Sequence, residues 1–205
     1  MAKLYGYKKG GEKPSAGFPM LPKGAYVAGI QNVKIDGTAP DRQIVLRLDI
    51  IEGEWSGYYT KRYRNDTAAG GKYDVKYKGD FKVQIPDPNN EKRQHIEWDE
   101  KALNNMIWCV EQSNPGFQFD GDDQHIGQLK GKIVGINVRQ GTFNGVPFTK
   151  IGKLEVADDV RKGLVKAMKD LPDRMGDAPG SAPAEATDPQ SGFTQVDIDT
   201  EELPF

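Results

Sequence analysis

Gln43-Ile44-Val45-Leu46-Arg47-Leu48-Asp49-Ile50-Ile51-Glu52 places Ile44, Leu46, Leu48 and Ile50 at strict two-residue spacing. Successive side chains of an extended chain point to opposite faces, so this alternation predicts a strand with one face in a core. Upstream, after the Pro22-Lys23-Gly24 punctuation, residues 25–35 predict a second strand. Downstream, Gly53 and Ser56-Gly57 flank Trp55 ahead of residues 58–64, which are rich in β-favouring aromatics and predict a third. These three segments read as a meander.

Asn65-Asp66 and Gly70-Gly71 then open an insertion in which residues 72–85 alternate. A hairpin turning near Gly79-Asp80 is expected there, with Tyr73, Val75, Tyr77, Phe81, Val83 and Ile85 on one face and Lys72, Lys76, Lys78 and Lys82 on the other. The period changes after Pro86 and Pro88. Leu103, Met106, Ile107 and Val110 recur at helical spacing behind Asp99, a candidate N-cap, and Asn114-Pro115-Gly116 ends a helix predicted over 99–113. Residues 132–139 and 149–156 read as strands joined through Phe143-Asn144-Gly145-Val146, whose Asn-Gly supplies a tight turn, and a helix over 158–169 follows. The predicted fold class is mainly β: a five-stranded oligonucleotide-binding (OB-fold) Greek-key barrel with a helix between strands 3 and 4 and an inserted β-hairpin.

The charge distribution is lopsided. The chain has 28 basic and 30 acidic residues, but from Gly176 onward there is no Lys or Arg and there are seven carboxylates: Asp177, Glu185, Asp188, Asp197, Asp199, Glu201 and Glu202. The body therefore sets 28 bases against 23 acids, a net of +5, which suggests a surface for a polyanion. Residues 176–191 are mostly Pro, Ala, Gly and Ser with few bulky side chains, a composition that predicts a disordered linker. Residues 1–20, with Lys3, Lys8, Lys9 and Lys13, predict a flexible basic arm, leaving 21–175 as one domain and 176–205 as linker and acidic tip.

The tip, Asp197-Ile198-Asp199-Thr200-Glu201-Glu202-Leu203-Pro204-Phe205, reads as a peptide for a partner protein. Its ring can enter an apolar pocket while basic residues hold its carboxylates; a purely solubilising tail is the plainer alternative.

The densest constellation in the body is Trp55, Tyr58, Tyr59, Lys61, Arg62, Tyr63 and Arg64, followed by Lys72, Tyr73, Lys76, Tyr77, Lys78 and Lys82. Bases of any identity stack on aromatic rings while phosphates pass Lys and Arg, so this mixture predicts sequence-independent single-stranded DNA binding. Some rings are expected to fill the core instead: as a strand, the segment would put Tyr59 and Tyr63 opposite Tyr58, Arg62 and Arg64. Cys109 reads as a packing residue and fits a reducing compartment, while His95 and His125 read as surface residues. No metal site, cofactor or enzymatic constellation is expected, and no membrane span.

Val110-Glu111-Gln112-Ser113-Asn114-Pro115-Gly116-Phe117 and Leu129-Lys130-Gly131-Lys132-Ile133-Val134-Gly135 resemble a group of tailed-phage single-stranded DNA-binding proteins. So do Gly24-Ala25-Tyr26-Val27 and residues 48–59, and the resemblance spans roughly residues 20–156. It implies an OB-fold barrel, single-strand binding with little sequence preference, and a role in phage replication, recombination or repair in the cytoplasm of an infected bacterial host. Glu201-Glu202-Leu203-Pro204-Phe205 is similar to the acidic tip of bacterial single-stranded DNA-binding proteins, which docks replication and repair enzymes; here the acidic block is broken by Thr200. Two other readings suit the same residues: a protein-interaction barrel without nucleic-acid binding, and a strand-annealing recombinase.

Overall fold

The computed structural model describes residues 18–68, 75–93 and 95–172. Residues 1–17 of the arm expected over 1–20, the linker and the acidic tip fall outside the described residues, as do Lys72 and Tyr73. The described chain is mainly β, with five strands: β1 (Gly24–Asp36), β2 (Gln43–Ile50), β3 (Asp80–Gln84), β4 (Ile133–Phe143) and β5 (Val146–Glu155). They form one antiparallel sheet in the order β3-β2-β1-β4-β5, open between β3 and β5.

The alternation over residues 44–50 holds in the structure. Ile44, Leu46, Leu48 and Ile50 of β2 are all buried, facing Ala28 and Ile30 of β1 and Val134, Ile136 and Val138 of β4 in one core. Burying each such side chain contributes about 1.5–3 kcal/mol relative to leaving it in water. The β4–β5 hairpin also forms as expected. Phe143 pairs with Val146, and Asn144 and Gly145 take φ values of 50° and 73°, the left-handed pair that a two-residue hairpin turn requires.

Residues 58–64 are not a strand. Tyr58–Ala68 form a helix, α1, because the first turn is capped from a distance: Asp49 of β2 accepts the amides of Tyr59 (3.0 Å) and Thr60 (3.3 Å). A carboxylate on the first-turn amides satisfies donors that a helix otherwise leaves orphaned, and this outweighs the β-preference of aromatic residues.

The inserted hairpin over 72–85 is likewise absent from the described residues: only Asp80–Gln84 is extended, as the sheet's own third strand against β2. The turn expected near Gly79 does form, at Lys78-Gly79, but no strand precedes it among the described residues, and Gly79 is also a point of close approach. A Cβ there would stand 2.4 Å from the Leu48 carbonyl oxygen and 2.8 Å from the rings of Tyr59 and Tyr77.

The helix between β3 and β4 is present as α2 (Ile96–Ser113), with Met106 and Val110 buried and Leu103 and Ile107 packed against the core. It starts earlier than expected, so Asp99 is no N-cap. Asp99 is buried within the helix and held by the Arg93 guanidinium, whose Nε lies 2.8 Å from Oδ2. After α2, Asn114 ties the helix end to β4: its Nδ2 donates to the carbonyls of Val110 (2.6 Å) and Ile133 (2.8 Å), and its Oδ1 accepts the Ile133 amide (3.1 Å). The Ser-Asn-Pro-Gly run is thus a structural clasp.

A short 3-10 turn (Asp123–Leu129) leads into β4. The last helix, α3, covers Ala157–Arg161 alone instead of 158–169. Beyond it the chain lies irregularly over the outer face of β4, where Asn137 donates to the Lys166 carbonyl (2.9 Å) and Leu171 donates to that of Gln140 (2.7 Å). Those tertiary bonds replace a helical ladder.

Candidate nucleic-acid interface

Strand alternation and register together define an outer face. Because Leu46 and Leu48 point into the core, Arg47 points away from it, between Asn32 of β1 and Asp80 of β3; one rung along, Lys34 and Lys82 flank Val45. Residues 157–171 cover the outer face at β4, but Asn32, Lys34, Arg47 and Lys82 are exposed. The same half carries Asp36 and Asp80, so Lys34 pairs with Asp36 at 3.2 Å and Arg47 with Asp80, and of its three cations only Lys82 forms no ion pair among the described residues.

An aromatic pair stands at the end of this face. The Tyr77 ring lies 5.7 Å from that of Tyr63, and the Arg47 guanidinium sits 4.7 Å over it. Arg47 is oriented by Asp80, with Nε to Oδ1 at 3.0 Å and Nη2 to Oδ2 at 3.3 Å, a two-pronged contact that fixes the guanidinium plane and raises its affinity for its proton. Tyr77 donates its hydroxyl to the Leu48 carbonyl (3.1 Å). Burial, reinforced by the Asp49 charge, pushes its phenol from 10.0 up to about 12, so the ring is a neutral platform across the physiological range. Tyr63 is 40% exposed and supplies an accessible ring.

The structure divides the sequence-predicted constellation in two. Tyr58 and Tyr59 are only 2% exposed and belong to the core, so neither presents a face to a ligand. The division expected from a strand, with Tyr58 opposite Tyr59, is replaced by the helix, which buries both adjacent rings edge to face at 5.3 Å. Trp55 is half-buried and packs 5.7 Å from Tyr58, and Arg62 donates to the Tyr58 hydroxyl (3.2 Å) and faces Asp66, so both support the aromatic cluster. Lys61 is exposed, with its ammonium on the Ser56 carbonyl at 2.7 Å. Arg64, Lys76, Lys78 and Lys82 are exposed and form no ion pair among the described residues.

Arg47, Lys34 and Asn32 escaped the sequence reading. Arg47 was visible as the charged residue between two core leucines, but only the register shows that Asn32, Asp80 and Tyr77 surround it. Cys109 is buried in α2, and burial pushes its thiol up to about 12, which makes it unreactive. Among the described residues no group of three His, Cys, Asp or Glu could hold a metal ion, and no helix is long and apolar enough to cross a membrane. No protein-family model matches the chain, and no curated protein matches it either, so its activity must be argued from its own residues and their geometry.

Proposed function

We propose that the chain binds single-stranded DNA without sequence preference, along the outer face of β1, β2 and β3. The observation that carries this reading is the Tyr63–Tyr77 pair, with Arg47 over Tyr77, at the end of an outer face bearing the exposed Lys34 and Lys82. Bases stack on the rings whatever their identity, and the cations take the phosphates. The strand order supports an OB-type barrel. β3 and β5 are the two free edges, α2 connects β3 to β4, and apposing those edges closes a five-stranded Greek key whose β2–β3 face is the oligonucleotide surface.

In this reading the protein is not an enzyme. It coats transient single strands of a phage genome during replication, recombination or repair in the bacterial cytoplasm. Its acidic segment, from Asp197 and Ile198 through Asp199, Glu201, Glu202, Leu203 and Pro204 to Phe205, recruits partner proteins of the phage or the host. Titrating labelled oligo-dT and a duplex of equal length at several salt concentrations tests it. Oligo-dT should bind tightly at low salt, with a log–log slope of about −0.7 per phosphate neutralised, and the duplex weakly. Absence of oligo-dT binding at low salt would end this reading.

A protein-interaction role is favoured by one separate observation. Trp98 and Trp108 stand about half exposed on α2, whose surface there carries Glu97 and Glu100 against the single cation Lys101. If that face serves a protein, replacing both tryptophans by Ala leaves oligo-dT affinity unchanged.

A further inference from the structure

Beside the Arg47 row the sheet is interrupted. The register of β1 against β2 shifts between Ile30 and Asn32, leaving Gln31 as the extra residue of a bulge, and the chain entering β4 crosses there: Gly131 donates to the Ile30 carbonyl and Ile30 to that of Lys132, both at 2.8 Å. Between the bulge and this crossing lies a cleft of about 300 Å³ lined by Gly29, Gln31, Ile51, Lys130, Gly131 and Ile133.

The cleft exists because position 29 has no side chain. A Cβ there would stand 3.1 Å from Ile51 Cγ2 and 3.6 Å from Gln31 Nε2, filling the floor. Its walls are aliphatic, with Ile51 38% exposed. Its rim carries an amide and an ammonium, since the side chains of Gln31 and Lys130 are exposed and make no hydrogen bond or ion pair among the described residues. The carboxylates beside it are engaged: Asp49, paired with Gly29 across the strands, accepts the amides of Tyr59 and Thr60, and Glu52 is held by Arg161 at 2.7 Å.

A flat apolar group with a polar edge and a neighbouring negative charge satisfies all three parts, and a nucleotide has that chemistry. The position agrees. Gln31 adjoins Asn32, which pairs with Arg47 on the next strand about 5 Å away, so the cleft and the Tyr77 platform lie within a few nucleotides on one face.

Resting on the single-strand reading above, we infer that this cleft is a second base subsite: one nucleobase lies between Ile51 and Ile133 with its edge on the Gln31 amide, and Lys130 holds the adjoining phosphate. The strand thus crosses the sheet from the Tyr63–Tyr77 pair over Arg47 and Asn32 to the bulge.

Full-length Ile51→Glu, Gly29→Ala and Lys130→Ala chains, titrated with an oligo-dT of about twelve nucleotides, test this against Tyr77→Ala. Ile51→Glu and Gly29→Ala should each bind about tenfold more weakly, the effect of losing one base contact. Lys130→Ala removes an exposed side chain without touching the fold, and should reduce the magnitude of the salt slope by about 0.7. Wild-type affinity and slope in all three, with binding lost in Tyr77→Ala, would overturn the subsite and leave the single-strand reading standing. Failure of the wild-type chain to bind would overturn both.

Discussion

Asp49 of β2 holds the first turn of α1 through the amide of Tyr59, with Oδ1 to N at 3.0 Å, although ten residues separate them. The same oxygen accepts the amide of Ile50 (3.0 Å), and the second oxygen takes that of Thr60 (3.3 Å). This one carboxylate thereby decides which tyrosines are buried: with the turn closed, Tyr58 and Tyr59 enter the core and Tyr63 emerges one turn later beside Tyr77. Replacing it by Ala leaves buried amides without acceptors. Asp49→Ala should cost about 1–3 kcal/mol in denaturant unfolding, and Asp49→Asn, which keeps an acceptor oxygen, clearly less. Equal losses in the two would show that the charge, not the capping geometry, matters.

Rings that fill the core and rings that face the ligand should separate in measurement. Tyr58→Ala removes a ring that is 2% exposed and receives the Leu21 amide on its hydroxyl at 3.1 Å; a loss of about 3–5 kcal/mol in stability is expected. Tyr63→Ala, at a 40% exposed position, should change stability by less than about 1 kcal/mol but weaken oligo-dT binding about five- to a hundredfold, the worth of one stacked base. Circular dichroism melts beside anisotropy titrations read the two quantities independently. Unchanged affinity in Tyr63→Ala would remove that ring from the interface.

What could be read in the chain, and what could not, divides by the range of the deciding interaction. The core face of β2 and the Asn144-Gly145 turn were legible because alternation and left-handed φ are set by neighbours in sequence. The helical spacing of Met106 and Val110 was legible for the same reason. Residues 58–64 were misread because their local β-preference yields to the Asp49 cap, and 72–85 because the turn at Lys78-Gly79 feeds a strand that pairs with β2, not with the residues before the turn. At the site, composition revealed a mixture of rings and cations. It could not sort them, since burial depends on that cap and Arg47 acquires its neighbours only through strand register.

Alkaline titration should expose the buried phenols and the thiol. Burial raises the pKa of Tyr59 and brings Tyr77 to about 12, whereas tyrosines of the unfolded chain ionise near 10.0. A folded-state pKa above the unfolded one means that the contribution is fully present below about pH 10 and is lost as pH rises through the folded value. Denaturant midpoints should therefore show no loss from these tyrosines up to about pH 9 and fall steadily above pH 10. Phenolate absorbance should show Tyr26, Tyr59 and Tyr77 ionising later in the folded chain than in the unfolded one, and Tyr59→Phe should flatten the fall. Cys109, with its thiol raised to about 12, should resist a thiol reagent until the chain unfolds.

The acidic segment should compete with DNA for the body. Deleting residues 176–205 removes seven carboxylates and no base, leaving 28 basic against 23 acidic residues. A tethered polyanion lowers the local potential at Lys34, Arg47 and Lys82 and must be displaced before phosphates bind. The truncated chain should bind oligo-dT roughly three- to tenfold more tightly at about 50 mM salt, where the Debye length exceeds 10 Å. That advantage should shrink toward nothing near 1 M salt, as screening shortens to about 3 Å. Lys82→Ala should lower the salt slope of the truncated chain by about 0.7, because it removes one phosphate contact whether or not the segment is present, and Lys34→Ala, whose ammonium pairs with Asp36 at 3.2 Å, by less. A full-length chain that already binds as tightly as the truncated one at low salt would restrict the segment to partner proteins and leave the outer face of β1, β2 and β3 to DNA alone.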